Sequence, residues 1–395
     1  MPWQESSVYE ERLRFVVAAS RKEKPVTELC REFRISRQTG YVWLRRYQAG
    51  GSPQVFDRSR RPLNSPARSS DEIEEKVVAL RLQYPDWGAP KLRKLLDQQS
   101  PDVRICERTL HRILVRRNLL NEKDRHSPAV RRFERGAPNE LWQMDFKGPQ
   151  GFNKEFPVGP LSVIDDHSRF LVRLQHLGST KSAGVRDALQ NAFEAVGLPE
   201  AILVDHGTPW WNCMSPWGIT ELSVWIMQQG VRLLYSGYRH PQTQGKVERM
   251  HGALQRAIRR RSEADPTNQQ WLDAFRHEYN HVRPHAGIGM ETPAQRWTPS
   301  SRPFDATPRE WEYPKSAVVR TLGGEGQLSW GGRRWDVSRA LQRQTVGIEV
   351  MGARAVVYFC NAPVRELDLI AKTALPLPID LLSRTSSLRS PKKPS

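Results

Sequence analysis

Three acidic residues that lie far apart along the chain constrain its fold more than any other feature. They are Asp145, inside the mainly apolar run 141–146, Asp205, at the end of the apolar run 201–204, and Glu248, near the start of a strongly basic helix. One Asp on a strand, one Asp at a strand end and one Glu on a helix form an all-oxygen set that suits hard divalent cations. We therefore expect a fold in which two strands and a helix bring these carboxylates together.

The charge of the chain points to a polyanionic partner. Its formal net charge is +18, and residues 1–135 alone hold 29 Lys and Arg against 18 Asp and Glu, which is +11. A basic face is often only a solvated surface, but a bias this large ahead of the three acids favours phosphate binding. Nucleic acid is therefore the expected substrate.

Length and composition predict a soluble chain of three or four domains. The 395 residues include no apolar run long enough to cross a bilayer, and the N-terminal residues lack the basic and apolar regions of a signal peptide. The four cysteines lie far apart, which predicts neither zinc-ligand pairs nor a disulfide framework. We expect a cytoplasmic protein with no membrane partner and no small-molecule cofactor.

The first 50 residues have the pattern of a helix-turn-helix DNA-binding module. Residues 8–49 are predicted to form three short helices, and Ser36 is placed to cap the third. In such a module the first side chains of the recognition helix meet base edges in the major groove, so the predicted readers are Arg37, Gln38 and Thr39. A plain three-helix bundle is the alternative.

Residues 71–120 repeat this theme behind a linker at 51–70 that is rich in Gly, Pro, Arg and Ser. Three helices are predicted, and the third begins at Glu107. The predicted DNA contacts on its polar side are Arg108, Thr109 and Arg112. Two tandem modules suit the recognition of one long, bipartite DNA site.

After a second linker at 121–140 the hydrophobic periodicity changes to that of strands and helices. The predicted elements are strands at 141–147, 160–164 and 170–177, a helix at 182–196, a strand at 201–205, a helix at 219–229, a strand at 231–235 and helices at 244–263 and 270–281. Three strands followed by alternating helices and strands predict a mixed sheet covered by helices, an α/β domain over 141–297.

The last part of the chain is predicted to form a small β-domain. A Pro-rich connector at 298–315 precedes short β-like runs separated by Gly-rich turns, which predict a small β-barrel over 316–372. Residues 373–395 have the composition of a disordered tail. The expected fold is thus multidomain, with two all-α helix-turn-helix modules, an α/β core and a C-terminal β-barrel.

The helix at 244–263 determines where Glu248 points. The residues Val247, Met250, Leu254 and Ile258 have the spacing of a buried stripe. Glu248 is one step, or about 100°, away from that stripe, so it should lie at the rim, where a substrate can reach it. Gly252, one turn further on, leaves room for a phosphate backbone. The alternative is a surface Glu that pairs with Arg249 or Arg260.

Five sequence blocks occur in an order that resembles the catalytic core of bacterial insertion-sequence transposases of the retroviral-integrase superfamily. The blocks are Trp142-Gln143-Met144-Asp145-Phe146, Val163-Ile164-Asp165-Asp166-His167-Ser168-Arg169, Asp205-His206-Gly207-Thr208-Pro209, His240-Pro241-Gln242-Thr243-Gln244-Gly245-Lys246-Val247-Glu248-Arg249 and Tyr279-Asn280-His281-Val282-Arg283-Pro284-His285. The resemblance covers roughly residues 8–300 and is closest to the group whose single reading frame carries both the helix-turn-helix modules and the core. Two departures are the 42 residues between Asp205 and Glu248, more than is usual, and His206, which stands where Asn is common.

The resemblance implies a ribonuclease-H-like core in which the triad Asp145, Asp205 and Glu248 holds two Mg²⁺ or Mn²⁺ ions. It implies a DNA transposase that binds the terminal inverted repeats of its element, nicks them to free 3′-OH groups and joins these to target DNA. It further implies a homo-oligomer located at the nucleoid in the bacterial cytoplasm. The expected phosphate contacts on the Glu248 helix are Lys246, Arg249 and Arg256. The alternative function is a helix-turn-helix DNA-binding regulator, or a domesticated transposase, that no longer cuts DNA.

Three further groups of residues have roles that the sequence leaves partly open. Asp165 and Asp166 are predicted to be structural, capping a turn and pairing with Arg169. The tryptophans of the inserted loop 210–217 are predicted either to pack that loop, which is favoured, or to stack on unpaired bases. The motif 279–285 is equally consistent with stabilisation of a turn and with contact to DNA.

Overall fold

The computed structural model describes residues 7–22, 24–57, 69–120, 134–148, 158–212, 218–236, 244–307 and 310–375. The chain divides into two compact units, Met1–Ser69 and Ser70–Ser395. None of the helices in the described ranges combines the length and the apolar composition that a bilayer crossing requires.

The first unit is a three-helix module followed by a short helical turn. Its elements are α1 (Val8–Ser20), α2 (Val26–Glu32), α3 (Arg37–Gly50) and a 3₁₀ turn (Ser52–Val55). As predicted, Ser36 caps α3, because its Oγ accepts a hydrogen bond from the backbone N–H of Thr39 (3.1 Å). Gly40 lets α3 approach its neighbours closely, since a Cβ there would lie 2.5 Å from Cys30 Sγ.

This unit extends beyond the predicted linker boundary at residue 51. Val55 is fully buried in the core of the module, and Phe56 stacks on Tyr9 with ring centroids 4.1 Å apart. The residues just after α3 therefore complete the apolar core of the module. The following residues, 58–68, lie outside the described ranges.

The second unit begins with a second helical module. Its helices are α4 (Asp71–Gln83), α5 (Ala89–Gln99) and α6 (Glu107–Arg116), close to their predicted bounds. Leu110, Ile113 and Leu114 of α6 are fully buried against α4 and α5. Because apolar residues recur at helical spacing, α6 buries one face and exposes the opposite one.

The α/β core has the predicted mixed sheet, whose five strands lie side by side in the order 171–175, 161–165, 142–146, 201–204 and 232–235. Its strands are β1 (Trp142–Phe146), β2 (Leu161–Asp165), β3 (Leu171–Gln175), β4 (Ala201–Val204) and β7 (Arg232–Tyr235), and a small hairpin is formed by β5 (Trp211–Asn212) and β6 (Gly218–Ile219). The helices are α7 (Ser182–Val196), α8 (Glu221–Gln228), α9 (Gly245–Arg260), α10 (Gln269–His277), which continues as a π-helical turn (Glu278–Val282), and α11 (Pro293–Arg296). The β1–β2 and β2–β3 pairs are antiparallel, whereas β1–β4 and β4–β7 are parallel. This is the α/β core that the sequence predicts.

Segments predicted as connectors pack onto this core where they are described. In the second linker, Glu134 pairs with Arg169 (2.7 Å), while 121–133 lies outside the described ranges. In the connector 298–315, the backbone N–H of Ser300 donates to the carbonyl of Val196 (2.8 Å). These contacts attach both segments to the core.

The C-terminal region is rich in strands, but the prediction of a barrel is wrong in one respect. The strands are β8 (Val318–Thr321), β9 (Gln327–Trp330), β10 (Arg333–Asp336), β11 (Thr345–Met351), β12 (Arg354–Phe359), β13 (Ala362–Asp368) and β14 (Thr373–Leu375). They form an open antiparallel sheet in the order β14-β13-β12-β11-β8 and a separate β9–β10 hairpin. The sheet does not close, because the hairpin lies against β8 and β14 without joining them in one hydrogen-bonded ladder.

Candidate active site

The register of two parallel strands brings Asp145 and Asp205 to the same edge of the sheet. In the β1–β4 pair, Gln143 is opposite Leu203. Asp145 and Asp205 each follow their paired residue by two positions, so they lie at the same level, at the carboxyl ends of neighbouring strands. Binding sites in open α/β sheets form at this edge.

Helix α9 carries Glu248 in its first turn, and a hydrogen bond from its backbone attaches this turn to β1. The N–H of Val247 donates to Gln143 Oε1 (3.3 Å), and Val247 and Met250 are fully buried. Glu248 is exposed, as the helical spacing predicts. Among the described residues it forms no ion pair, and Arg260 instead donates to the carbonyl of Pro85 (3.1 Å). The structure therefore does not contain the alternative ion pair between Glu248 and Arg260.

The electrostatics of Asp145 indicate that the three acids lie near one another. Burial, followed by the negative charges of Asp205 and Glu248, raises the pKa of Asp145 to about 7. Like charges that converge without a counter-ion disfavour ionisation in this way. A cation placed among the three carboxylates would remove that penalty.

Asp205 is oriented by the loop that follows it. Its Oδ1 accepts hydrogen bonds from the indole Nε1 of Trp210 (2.6 Å) and from the backbone N–H of Gly207 (2.9 Å). Trp210 is only 1% exposed and stacks on Phe146, with ring centroids 5.8 Å apart. Packing, the favoured prediction for the loop tryptophans, therefore holds for Trp210, but the residue also holds a triad acid, which sequence reasoning missed.

His251 lies beside Asp145 but does not neutralise it. Its Nδ1 is 3.9 Å from Asp145 Oδ2, and its Nε2 is 3.0 Å from the hydroxyl of Ser162 on β2. Burial, with a smaller contribution from Lys147, lowers the pKa of His251 to about 3. The imidazole is therefore neutral at physiological pH, and it adds no positive charge next to the acids.

The acidic triad offers the ligand atoms that a hard divalent cation prefers, but its side chains are not already arranged around an ion. The three side chains supply only carboxylate oxygens, which Mg²⁺ and Mn²⁺ prefer. Within the described ranges, no three His, Cys, Asp or Glu side chains already converge closely enough to enclose an ion. Small side-chain movements would have to accompany metal binding, and Mg²⁺ commonly keeps several waters and only one or two carboxylates.

Most of the predicted DNA-contact residues are exposed. Those on the first turn of α3 (Arg37, Gln38 and Thr39), those on α6 (Arg108 and Arg112) and Arg249 on α9 are solvent-accessible, and Thr109 is half-buried. The Thr39 hydroxyl lies 2.8 Å from Ser36 Oγ, so it takes part in the cap of α3.

Two residues predicted to contact phosphates, Lys246 and Arg256, interact with other side chains of the protein. Lys246 forms an ion pair with the fully buried Asp166, so a phosphate would compete with this carboxylate for its ammonium group, and its contact with DNA stays a prediction. Arg256 is half-buried, and burial together with the positive charge of Arg283 lowers its pKa. Asp166 lies 80 positions before Lys246, which is why local sequence did not predict the pair.

The other motif residues are structural. Asp165 accepts hydrogen bonds from the backbone N–H groups of Ser168 (2.8 Å) and Asn139 (2.7 Å), so it caps the turn as predicted. Arg169 pairs with Glu134 and donates to the backbone carbonyl of Asp166, so its predicted carboxylate partner was wrong.

In the motif 279–285, Asn280 and Arg283 are buried and make internal contacts, whereas contact of the motif with DNA stays a prediction. Asn280 exchanges two hydrogen bonds with the backbone of Leu171 (2.8 and 3.0 Å), and Arg283 is 2% exposed. Gln143, a polar residue at a buried strand position, donates to Asp166 Oδ1 (2.8 Å), so its place in the run 141–146 was a sequence signal for an internal polar contact.

Two parts of the chain match known protein domains. A helix-turn-helix domain model matches residues 11–62, and a homeodomain-like domain model matches 39–114. Integrase core domain models match residues 135–241 and 229–293, which together include all three acids. A 39.2 kDa protein of insertion element IS476 from Xanthomonas euvesicatoria is 24% identical over 262 residues, covering 62% of this chain and 69% of the relative. A 31.7 kDa protein of insertion element IS407 from Burkholderia multivorans is 22% identical over 246 residues, covering 58% and 82%.

The chain therefore contains helix-turn-helix domains and an integrase core domain, and it is similar to proteins of bacterial insertion elements. Its function is DNA transposition, and its activity is that of a polynucleotidyl transferase, as the sequence predicts. A chain of the simian T-cell lymphotropic virus intasome, solved in complex with PP2A regulatory subunit B56 gamma, is 15% identical with a TM-score of 0.38, covering 71% of this chain and 91% of its own length. The catalytic core of BIV integrase is 20% identical with a TM-score of 0.31, covering 40% and 92%. The assignment rests on the sequence matches.

Proposed function

We propose that this transposase binds the ends of its element and, with divalent metal, nicks them to free 3′-OH groups that it then joins to target DNA. The observation that carries the proposal is the level pairing of Asp145 and Asp205 on parallel strands, with Glu248 exposed on the adjoining helix. The pKa of Asp145, raised to about 7 partly by the other two acids, supports their acting as one site.

In this proposal the three carboxylates are the metal ligands and the catalytic residues. When bound, two Mg²⁺ or Mn²⁺ ions would activate the nucleophile and stabilise the leaving 3′ oxygen. Trp210 orients Asp205 through its indole N–H, and the buried stripe of α9 holds Glu248 at the rim. No covalent intermediate is required, so the chain needs no Ser, Cys or Tyr nucleophile.

End recognition is assigned to the two helical modules. The exposed residues at the start of α3, namely Arg37, Gln38 and Thr39, are proposed to read base edges. Arg108, Thr109 and Arg112 on α6 and Arg249 on α9 are also proposed to contact DNA. The exposed cations should neutralise several phosphates, so affinity should fall steeply with salt.

The first prediction tests the site with the variant Glu248→Gln. The protein is incubated with end-labelled duplexes from the DNA that flanks its gene, in Mg²⁺, in Mn²⁺ or in EDTA. Wild type should nick only when metal is present, and Glu248→Gln should nick at least about 100-fold more slowly because a ligand charge is lost. DNA binding in EDTA, measured by mobility shift, should not change.

The matched control is Glu221→Gln, since Glu221 is an exposed acid in the first turn of another core helix, α8. It should nick like wild type. A wild-type protein that binds the ends but never nicks in Mg²⁺, or a Glu248→Gln variant that nicks normally, would show that the enzyme assignment of these residues is wrong.

A further inference from the structure

The second helical module meets the catalytic core at a buried group of charges. Asp86, in the connector between α4 and α5, accepts hydrogen bonds from Arg261 Nη2 (2.7 Å) and Nε (3.1 Å) and from Arg283 Nη1 (2.8 Å). Arg261 also donates to both carboxylate oxygens of Glu278, each at 2.7 Å. We call Asp86, Arg261, Glu278 and Arg283 the joint cluster.

The joint cluster is enclosed on the module side by aromatic rings. Trp87 is fully buried and stacks on Tyr84, with ring centroids 4.2 Å apart. The guanidinium of Arg283 lies over the ring of Trp87, 5.5 Å from its centroid. Asp86 has no exposed side-chain surface, so water does not compete for its hydrogen bonds.

On the core side, the joint cluster is attached to the helix that carries a triad acid. Arg261 directly follows the last residue of α9, and Glu248 lies in its first turn. Thirteen residues of continuous helix place the two about 20 Å apart at 1.5 Å per residue. Movement of Arg261 along the helix axis would therefore move Glu248 as well.

The π-helical turn connects the same cluster to the central sheet. Glu278 begins this turn and Arg283 follows it, while Asn280, between them, bonds to the backbone of Leu171 on β3. A π turn adds a residue to the helical repeat and is often found at functional sites. Here it presents Glu278 and Arg283 to the module and Asn280 to the sheet.

On the module side, the chain of contacts leads to the exposed basic face of α6. Leu110, Ile113 and Leu114 of α6 share one apolar core with Trp87. Arg108 and Arg112 lie on the opposite, exposed face. Packed side chains therefore link this face to Asp86, and Asp86 links it to α9.

Charged groups suit this joint better than apolar contact would, because their geometry is directional. An apolar interface tolerates sliding, whereas a displaced buried ion pair leaves charges without partners. Asp86 has hydrogen bonds to two arginines from different parts of the core, α9 and the π turn, so rotation of the module about either one breaks the other.

We propose that the joint cluster holds the second helical module at a set distance from the acidic triad, so that the DNA bound by α6 determines which phosphate is cut, with Asp86 as a positioning residue. This inference rests on the proposed function. It predicts a separation of two properties, since affinity for the element end depends on α6 and accuracy of cutting depends on the joint cluster.

The second prediction tests this separation with Asp86→Asn, which keeps the size of the side chain and removes its charge. Cleavage of an end-labelled element-end duplex is mapped at single-nucleotide resolution in Mg²⁺. Wild type should cut at one phosphate. Asp86→Asn should bind the duplex with an affinity comparable to that of wild type. Its cutting rate at that phosphate should fall by at least about tenfold, and new cuts should occur at neighbouring phosphates, because a small misplacement of reacting groups has a large effect on rate.

The matched control is Glu74→Gln in the same module. Glu74 is also fully buried and pairs with two arginines, Arg116 and Arg117, but both belong to the module itself. The control should cut at the wild-type phosphate. A loss of module stability alone would affect both variants, so a shift confined to Asp86→Asn cannot come from a merely structural role.

A second measurement needs neither metal nor DNA. Spin labels are placed on the exposed Cys106, which precedes α6, and on Ala195→Cys, an exposed position in α7, in a full-length protein whose other cysteines are replaced. The label-to-label distance distribution should be narrow in the parent and in Glu74→Gln, and broad in Asp86→Asn. Accurate cutting or a narrow distribution in Asp86→Asn would overturn the inference. A parent that gives narrow distances but never cuts DNA would instead overturn the proposed function.

Discussion

At the scale of single residues, Trp210 links the inserted loop to the chemistry of the site. Its indole N–H bonds to Asp205, and its ring stacks on Phe146, the neighbour of Asp145. One buried side chain thus contacts the surroundings of two triad acids. Partners of this kind orient the ligands of metal sites, and their loss typically lowers activity or metal affinity by 10–100-fold.

The third prediction is that Trp210→Phe keeps the stacking but impairs the site. Asp205 would lose the hydrogen bond from the indole N–H of Trp210, so metal-dependent nicking should fall by about tenfold. The smaller ring should also lower the free energy of unfolding by about 1–3 kcal/mol, because the side chain is 1% exposed. Single-turnover nicking and thermal unfolding measure the two effects separately.

The control for cavity formation is Trp225→Phe. Trp225 is 7% exposed in the same apolar core and is not bonded to Asp205. It should lose similar stability and retain its nicking rate. Equal nicking by the Trp210 and Trp225 variants would show that the indole N–H has no positioning role.

At the scale of elements, α9 packs against the sheet, carries one of the three acids and is bonded to the second helical module through the residue that follows it. Val247, Met250 and Leu254 bury one face against the sheet, Glu248 lies at the exposed rim, and Arg261 follows the C-terminal end. The helix interior also contains Gly252, an unfavourable residue for a helix by about 1 kcal/mol relative to Ala. Among the described residues, an added Cβ at this position would meet only Arg256 Nη1, at 3.6 Å, so no described neighbour requires a glycine here.

The fourth prediction is that Gly252→Ala stabilises the protein and weakens its action on DNA. The free energy of unfolding should rise by up to about 1 kcal/mol through helix propensity. Nicking should slow several-fold, because Gly252 lies one turn beyond Glu248 and an added methyl group narrows the approach of the phosphate backbone. Thermal unfolding and nicking are compared with those of Gly184→Ala, a glycine substitution in α7. If both variants nick like wild type, DNA does not approach Gly252 closely.

The elements of the core could be predicted from sequence because their signals are local. The apolar spacing of α9 and the buried run 201–204 specified both the elements and the faces that carry Glu248 and Asp205. Parallel strands then had to bring the two aspartates to one edge. The family resemblance supplied the role of the three acids, which no local pattern gives.

Features that depend on distant partners could not be predicted in this way. Lys246 looked like a phosphate contact because its partner, Asp166, lies far away in sequence. Asp86 and Arg261 are 175 positions apart, so no local pattern indicates that they pair. The C-terminal strands were predicted locally, but whether β8 and β14 pair depends on where the β9–β10 hairpin packs.

At the scale of the whole molecule, one chain provides one set of three acids, whereas transposition needs two element ends to be joined to two target strands. We therefore expect at least two protomers to act together on DNA. The C-terminal sheet has open edges and exposed apolar side chains, among them Val319, Val350 and Met351, which suit a contact between protomers. The net charge of +18 opposes such contact in the free protein.

The fifth prediction follows from that balance of forces. The free protein at moderate salt should be monomeric, and addition of paired element-end duplexes should produce a complex with at least two protomers, because DNA phosphates neutralise the repulsion and hold the chains together. Light scattering coupled to size exclusion measures the mass with and without the duplexes, and random-sequence duplexes of equal length provide the control. The same complexes are then given Mg²⁺ and target DNA. If complexes with one protomer on one unpaired end complete concerted joining of two ends, assembly is not required and the prediction is wrong.

The variant Val319→Asp, on the exposed side of β8, tests where the protomers meet. It should reduce the amount of paired complex without reducing binding to a single end, and that result would locate the contact on the C-terminal sheet.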